Sequence, residues 1–149
     1  MACWVRADMI PTVARQMIRE YIYAYSAISP QTGDCYSMIS PYCNTAAMNE
    51  FLQQLSVQYK QYRLIIILDK AGWHISQSLK TAANIQLLHL APYSPELNPV
   101  ELLWREIRRK YFHNRIFKDL DEVEDTLQKA LSDCHKDKDA IRKLSNGFL

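Results

Sequence analysis

The chain has 149 residues, of which 48% are hydrophobic and 23% are charged, so it can form one folded domain with a sizeable core. This composition excludes disorder as the default state, and no apolar run approaches the length of a transmembrane helix. The net charge of +2 does not predict nucleic-acid binding, so any basic surface has to be local. The four cysteines form no C-x-x-C pair, and reduced thiols in a cytosolic protein are the expected state.

The amino-terminal half of the chain predicts a β-hairpin followed by one helix. Two stretches rich in aromatic and β-branched residues favour strands, and the Pro-Gln-Thr-Gly-Asp segment between them is typical of a turn. Asn44 or Thr45 then provides the cap of a helix whose apolar residues recur at helical spacing. The predicted elements are strands at residues 21–29 and 35–40 and a helix from about 45 to 59.

The second half predicts two further strands and three helices, which completes a mixed α/β layer architecture. A continuous apolar run that ends at Asp69 suits a central strand buried on both faces, and a second short, buried strand ends at Leu90. A stiff, proline-rich loop leads to a helix that Asn98 caps and Pro99 opens. The tail after Lys136 is charged and gives no clear prediction. The predicted elements are strands at 64–68 and 85–90 and helices at about 74–82, 99–111 and 120–135.

Two carboxylates are the candidate catalytic residues. Asp69 directly follows five apolar residues, which places it at the carboxyl end of a strand, where α/β sheets bind ligands. Glu101 lies in the first turn of the helix that Pro99 opens, and 31 residues (70 to 100) separate it from Asp69. Each acid also has a structural explanation, because Asp69 could cap the next helix and the helix macrodipole favours acids near its amino terminus. Together with a third acid, the two could hold two divalent cations that flank a phosphate.

Five cations follow Glu101 on the same helix and at its exit. Spacings of three and four residues bring Arg105, Arg108 and Arg109 close together. They lie on a face of the helix away from Leu103 and Ile107. An ordinary solvated helix face is the alternative interpretation. Beside a candidate phosphate-cutting site, a surface that grips DNA phosphates without reading the sequence is favoured. The five residues are Arg105, Arg108, Arg109, Lys110 and Arg115.

Two longer motifs resemble the signature of mariner-like bacterial insertion-sequence transposases. The first is Leu-Asp-Lys-Ala-Gly-Trp-His at residues 68–74, and the second is Leu-Ala-Pro-Tyr-Ser-Pro-Glu-Leu-Asn-Pro-Val-Glu-Leu-Leu-Trp at residues 90–104. The resemblance covers nearly the whole chain. It implies an RNase H-like DDE catalytic domain, a mixed sheet flanked by helices, in which Asp69 and Glu101 are the second and third members of the metal-binding triad. It also implies a two-metal site for Mg²⁺ or Mn²⁺ and DNA, both transposon ends and target, as substrate.

The same resemblance implies supporting residues and a location. Asn98 is expected to fix the direction of Glu101 from outside the metal site, and His74 either approaches that site or, slightly favoured, braces its own helix. The protein is expected in the bacterial cytoplasm, at the nucleoid when it acts, and away from membranes. A homodimer of the complete protein is compatible with the family.

The chain departs from the family at its amino terminus. The first aspartate of the family lies on the first strand, upstream of the element that here is Cys3-Trp4-Val5. Residues 1–149 are therefore interpreted as one DDE catalytic domain without that aspartate, most of the first strand, or the DNA-binding helix-turn-helix region. A truncated element, a split reading frame or a trimmed chain would each explain this. With two of the three acids, the chain alone is expected to be inactive or nearly so.

Two other functions remain open. One is a catalytically inactive RNase H-like remnant that still binds DNA or its own full-length relative, which the missing acid favours. The other is a different RNase H-like nuclease, such as a Holliday-junction or RNA-cutting enzyme, against which the long motif at residues 90–104 argues.

Overall fold

A computed structural model describes residues 21–69, 77–91 and 94–147, in which two pairs of strands and four α-helices form a mixed α/β arrangement. This arrangement confirms the predicted fold class and is consistent with an RNase H-like architecture, although its sheets are small. None of the helices in this part of the chain is long and apolar enough to cross a membrane. In chain order the elements are β1 (Tyr23–Ile28), β2 (Cys35–Ser40), α1 (Thr45–Gln58), β3 (Leu64–Leu68), β4 (Ile85–His89), a 3₁₀ turn (Pro95–Leu97), α2 (Val100–Ile107), a π-helical turn (Arg108–Phe112), α3 (Leu120–Lys136) and α4 (Lys138–Leu144).

The first two strands, β1 and β2, form the predicted antiparallel hairpin, with all six residue pairs in register. The turn depends on Gly33, whose φ of 77° lies in the left-handed region that glycine adopts without steric cost. A Cβ at this position would collide with the backbone of Lys138. Glycine at position 33 therefore allows both the turn conformation and the close approach of the turn to the first residue of α4.

The other two strands, β3 and β4, form a separate parallel pair with five residue pairs in register. Within the described residues β3 pairs with β4 alone, and the prediction that both faces of β3 are buried is wrong because alternate side chains of the strand are exposed. Ile65 and Ile67 are 59% and 57% exposed, because alternate residues of β3 point away from the only helix that covers it here. His89 on β4, the strand that was predicted to be buried, is exposed as well.

Helix α1 covers both strand pairs on one side. Asn44 caps it as predicted, because its side-chain oxygen accepts a hydrogen bond from the Ala47 N–H over 2.9 Å. Phe51 is buried at the centre of α1 and packs in one cluster with Tyr25 of β1 and Leu68 of β3. The rings of Tyr25 and Phe51 lie 5.8 Å apart, which suits an aromatic pair. Packing on α1 thus holds the hairpin and the parallel pair together.

The opposite face of the hairpin packs against the carboxy-terminal helices. Leu103 of α2, Ala130 of α3 and Ile141 of α4 are all buried in one cluster with Cys35 of β2. Each of these helices therefore contributes a side chain that is removed from water, which is the main favourable term in folding. The hairpin is covered on both of its faces.

Helix α4 was not predicted, since the tail after Lys136 looked only charged. Asp137 ends α3 and caps α4, because its side chain accepts a hydrogen bond from the Ala140 N–H over 3.0 Å. The first residue of α4, Lys138, forms an ion pair with Asp34 in the hairpin turn, with a distance of 2.7 Å from Nζ to Oδ1. The charged tail is therefore a second contact surface for the hairpin.

The helix predicted at about 74–82 is wrong over residues 77–82, which form turns and irregular backbone. Asn49 of α1 provides the physical reason. Its side-chain amide donates to the carbonyl oxygen of Ser78, and its side-chain oxygen accepts from the N–H of Lys80. A side chain thus satisfies backbone groups that a helix would otherwise pair internally. The remainder of that predicted helix lies outside the described residues.

Candidate active site

Asp69 is exposed at the carboxyl edge of the parallel strand pair. The backbone beside it is fixed to β4, because the N–H of Leu90 donates a hydrogen bond to the carbonyl oxygen of Leu68 over 2.8 Å. Leu68 is only 5% exposed and belongs to the cluster beneath α1. A packed leucine therefore places an acid at the strand end, the position at which α/β folds bind ligands.

Glu101 is exposed in the first turn of α2. Asn98 organises that turn, because its side-chain oxygen accepts from the Val100 N–H and its carbonyl oxygen accepts from the Glu101 N–H, both over 3.1 Å. Two residues further on, Leu103 is 1% exposed and anchors the helix against the hairpin. The N-cap of α2 is Pro99 rather than the predicted Asn98, and the hydrogen bonds of Asn98 together with a core leucine set the backbone position of Glu101.

The two acids have the type of ligand atom that a divalent metal ion needs, but two side chains are fewer than the three of the predicted site. Carboxylate oxygens are the ligands that Mg²⁺ prefers, so the donors of Asp69 and Glu101 match the predicted chemistry. Across residues 21–69, 77–91 and 94–147, however, no three His, Cys, Asp or Glu side chains are grouped so that they could hold a metal ion. His74 lies outside the described residues. The roles of these two acids, of His74 and of Asn98 remain predictions.

The basic helix beside Glu101 is amphipathic as predicted. The four cations that it carries are exposed, whereas Leu103 and Ile107 on its other side are buried. The π-helical turn extends α2 by five residues, and turns of this kind are frequent at functional sites. Tyr111 ties this turn to α3 by donating a 2.6 Å hydrogen bond to Asp133. Burial and that hydrogen bond raise the pKa of Tyr111 to about 12, so the hydroxyl stays protonated and keeps donating.

Two of the five predicted DNA-binding cations are already paired with acids of this chain. Arg109 donates to Glu106 over 2.7 Å and holds the pKa of that carboxyl below its usual range. Arg115 lies 3.6 Å from Glu122 and 5.0 Å from the centre of the Phe117 ring. The first pairing has a sequence signal in the three-residue spacing, whereas the second joins a loop to α3 and has none. Sequence reasoning missed both pairings.

The other three cations form no ion pair in the part of the chain that the structure describes. Lys110 places its Nζ 5.6 Å from the centre of the Tyr111 ring, a cation–π contact that leaves the ammonium exposed. Arg105 is near enough to Glu106 to help lower the pKa of that carboxyl, but Arg109 dominates. Arg105, Arg108 and Lys110 are therefore the cations whose charge is most available to a phosphate.

The described part of this α/β chain thus carries an exposed acid at a strand end, a second acid in a helix turn and a basic helix surface beside the second acid. Residues 2–124 match the family described as DDE superfamily endonuclease, and the chain belongs to that family. It is similar to the uncharacterized protein y4pE/y4sA of Sinorhizobium fredii, with 41% identity over 104 residues, which is 69% of this chain and 77% of the relative. No solved structure gives a significant match. Family membership supports a transposase-like nuclease function with DNA as substrate, and DDE-type endonucleases generally use divalent metal ions.

Proposed function

We propose that this chain is the catalytic domain of a mariner-like insertion-sequence transposase, which cuts DNA at transposon ends and joins it to a target. The observation that carries the proposal is the position of Asp69, which is exposed at the end of a strand held in place by packing. The chain belongs to the DDE family, and the residues that match the family also include Glu101. The mariner-like assignment is supported by the motifs at residues 68–74 and 90–104.

In this proposal Asp69 and Glu101 supply carboxylate oxygens to divalent ions, Mg²⁺ or Mn²⁺. When bound, such ions make water or a 3′ hydroxyl a better nucleophile and stabilise the leaving oxygen of a phosphodiester. The protein contributes the positions of the two acids. Leu68 holds the first by packing, and Asn98 holds the second by organising the turn of α2. Preorganised ligands of this kind need little rearrangement during the reaction.

The basic surface holds the DNA backbone beside these acids. Arg105, Arg108 and Lys110 contact phosphates first, because none of them has to leave an ion pair in the described part of the chain. Contacts to phosphate oxygens orient the DNA without reading its sequence. The proposal assigns these cations no role in recognising the sequence of the transposon ends.

The proposed two-metal mechanism needs a third acid, which the resemblance to the transposase family places on another strand. The second candidate is a catalytically inactive RNase H-like module that binds DNA. The two candidates differ in one respect. A polypeptide that supplies a strand with a further aspartate would raise metal-dependent cleavage by a transposase domain, and it would change nothing for an inactive module.

Calorimetric titration with Mn²⁺, run beside cleavage of end-labelled DNA, tests the proposal. Asp69→Asn and Glu101→Gln should each reduce Mn²⁺ affinity, because each removes a charged ligand. Asp121→Asn is the matched control, since Asp121 is also an exposed acid in the first turn of a helix. Equal Mn²⁺ binding by all four proteins would contradict the proposed site. Binding that depends on Asp69 and Glu101 without any cleavage would favour the inactive module.

A further inference from the structure

We propose that Tyr23 and Tyr42 form a stacking platform for an unpaired nucleobase, at the edge of the molecule that carries Asp69. The inference deepens the proposed function and rests on it, because it states what lies next to the phosphate that is cut. Tyr23 opens β1 and is 36% exposed, and Tyr42 follows β2 and is 64% exposed. These two residues are called the tyrosine platform below.

The backbones of the two tyrosines are linked through Ser40. Tyr23 is the register partner of Ser40, and the hydroxyl of Ser40 accepts a 3.1 Å hydrogen bond from the Tyr42 N–H. Tyr25 supports the arrangement from below by donating its hydroxyl hydrogen to the carbonyl oxygen of Tyr42, over 3.1 Å. Burial and the nearby Cys43 raise the pKa of Tyr25 to about 12, so the hydroxyl remains a donor. The platform therefore stands on a packed and hydrogen-bonded base.

The tyrosine platform and Asp69 lie at the same edge of the fold. The last turn of α1 meets the starts of the parallel strands, because Ser56 donates to the Asn84 side chain over 2.6 Å and Leu64 N donates to the Asn84 carbonyl oxygen over 2.7 Å. The first turn of α1 therefore points to the edge at which β3 and β4 end. Strand β2 reaches that first turn within four residues, and Tyr42 lies in this short link. Tyr25, beneath the platform, shares its core cluster with Leu68, the residue before Asp69.

The chemistry of the surface suits a base rather than a phosphate. Residues 40–45 are Ser-Pro-Tyr-Cys-Asn-Thr and carry no charged side chain. Aromatic rings stack on the π-face of any base, so such a surface binds single strands with little sequence preference. The cations proposed to contact phosphates are instead on α2 and its extension, which pack against the other face of the hairpin.

Fluorescence anisotropy with a labelled oligothymidylate single strand tests the platform, with EDTA present so that no metal ion contributes. Tyr42→Ala and Tyr23→Ala should each weaken binding by roughly tenfold, the size expected when one base–aromatic stack is lost. Tyr42→Phe and Tyr42→Trp should bind like the wild type, because each keeps an aromatic ring. Tyr42→Ala is the decisive variant, since its exposed ring contributes little to the core while its backbone makes the hydrogen bonds.

Two matched controls separate stacking from other effects. Tyr62→Ala removes a ring that is 58% exposed at the opposite edge, where the Tyr62 carbonyl oxygen accepts from Asn84, and it should leave affinity unchanged. An abasic strand of the same length should bind wild type and Tyr42→Ala equally, because it has no base to stack. A loss that is as large for the abasic strand would show a backbone contact and overturn the platform. Wild-type affinity in both alanine variants, or no single-strand binding by the wild type, would overturn it too.

The same assay keeps this inference distinct from the proposed function. If the tyrosine variants lose binding while Mn²⁺ binding proves independent of Asp69, the platform stands and the cleavage mechanism falls. If Mn²⁺ binding depends on Asp69 while the tyrosine variants bind normally, the reverse holds.

Discussion

The two strand pairs of this chain share α1 but differ on their other face. The hairpin β1–β2 is covered by α1 on one side and by α2, α3 and α4 on the other. The parallel pair β3–β4 is covered by α1 alone within the described residues, and its other face leaves Ile65, Ile67 and Leu88 45–59% exposed. Parallel strands are usually buried on both faces, so this pair is the less completely packed part of the fold.

This difference separates the two halves of the candidate site. Glu101 and the basic surface belong to a helix that packs on the well-covered hairpin, whereas Asp69 ends a strand of the one-sided pair. Ligand-binding elements are often drawn from the less stable parts of a protein. Substitutions in the two regions test whether stability and charge are distributed in this way.

The largest expected effect is on the core between the hairpin and the carboxy-terminal helices. Leu103→Ala should lower the free energy of unfolding by about 2–5 kcal/mol, because it leaves a cavity at a residue that is 1% exposed. Ile67→Ala, on the open face of β3, should cost less than about 1 kcal/mol, since little is buried there. Urea denaturation of both variants measures the contrast. Equal costs would show that the two strand pairs are packed to the same extent.

The hairpin turn should show a smaller but still clear effect. Gly33→Ala should cost about 1–3 kcal/mol, because alanine is strained at a φ of 77° and its Cβ would push against the backbone of Lys138. Gly147→Ala is the matched control, since its φ of 107° is also positive but nothing lies within 4 Å of the new Cβ. Thermal unfolding should therefore show the larger loss for Gly33→Ala. A loss no greater than that of the control would mean that the turn does not press on α4.

Much of this fold could be predicted from the sequence because its signals are local. Asn44 and Asp119 are polar caps directly before apolar residues at helical spacing, and both helices begin where these caps indicate. The positions of Asp69 after a strand and of Glu101 in a helix turn were predictable for the same reason. Local pattern fixes which element carries a residue, and it says little about what covers that element.

The parts that were wrong depend on distant contacts. An apolar run such as Ile65 to Ile67 reads as buried on both faces, although only one face is covered here. At residues 77–82 the side chain of Asn49 forms hydrogen bonds with backbone groups that a helix would pair internally. The bonded residues are 29 and 31 positions away in sequence. The helix after Asp137 was not predicted because its charged residues outnumber its one buried residue, Ile141. None of these contacts leaves a periodic pattern.

The basic surface should show graded effects on DNA affinity. Arg105→Gln and Arg108→Gln should each reduce the slope of log affinity against log salt by about 1, because each removes one phosphate contact. Arg109→Gln should reduce it less, since Glu106 already holds that guanidinium at 2.7 Å. Anisotropy of a labelled duplex at several salt concentrations measures the slopes. If Arg109→Gln gives the largest change, the ion pair opens on binding and the ranking is wrong.

The smallest expected effect is the pH dependence of the clamp between the hairpin and α4. Lys138 and Thr32 hold the pKa of Asp34 below its ordinary value of 3.8. A carboxyl whose pKa is lower in the folded than in the unfolded protein stabilises the fold at any pH above its unfolded-state pKa. That contribution is lost as the pH falls through its folded-state pKa. The pair is partly exposed, so solvent screening limits its contribution to less than about 1 kcal/mol. Asp34→Asn should therefore cost a little stability at pH 7 and less near pH 2, whereas Asp121→Asn should leave this pH dependence unchanged. Urea denaturation at both pH values measures the difference, and an equal cost at pH 2 would assign the clamp to the packing of α4 rather than to charge.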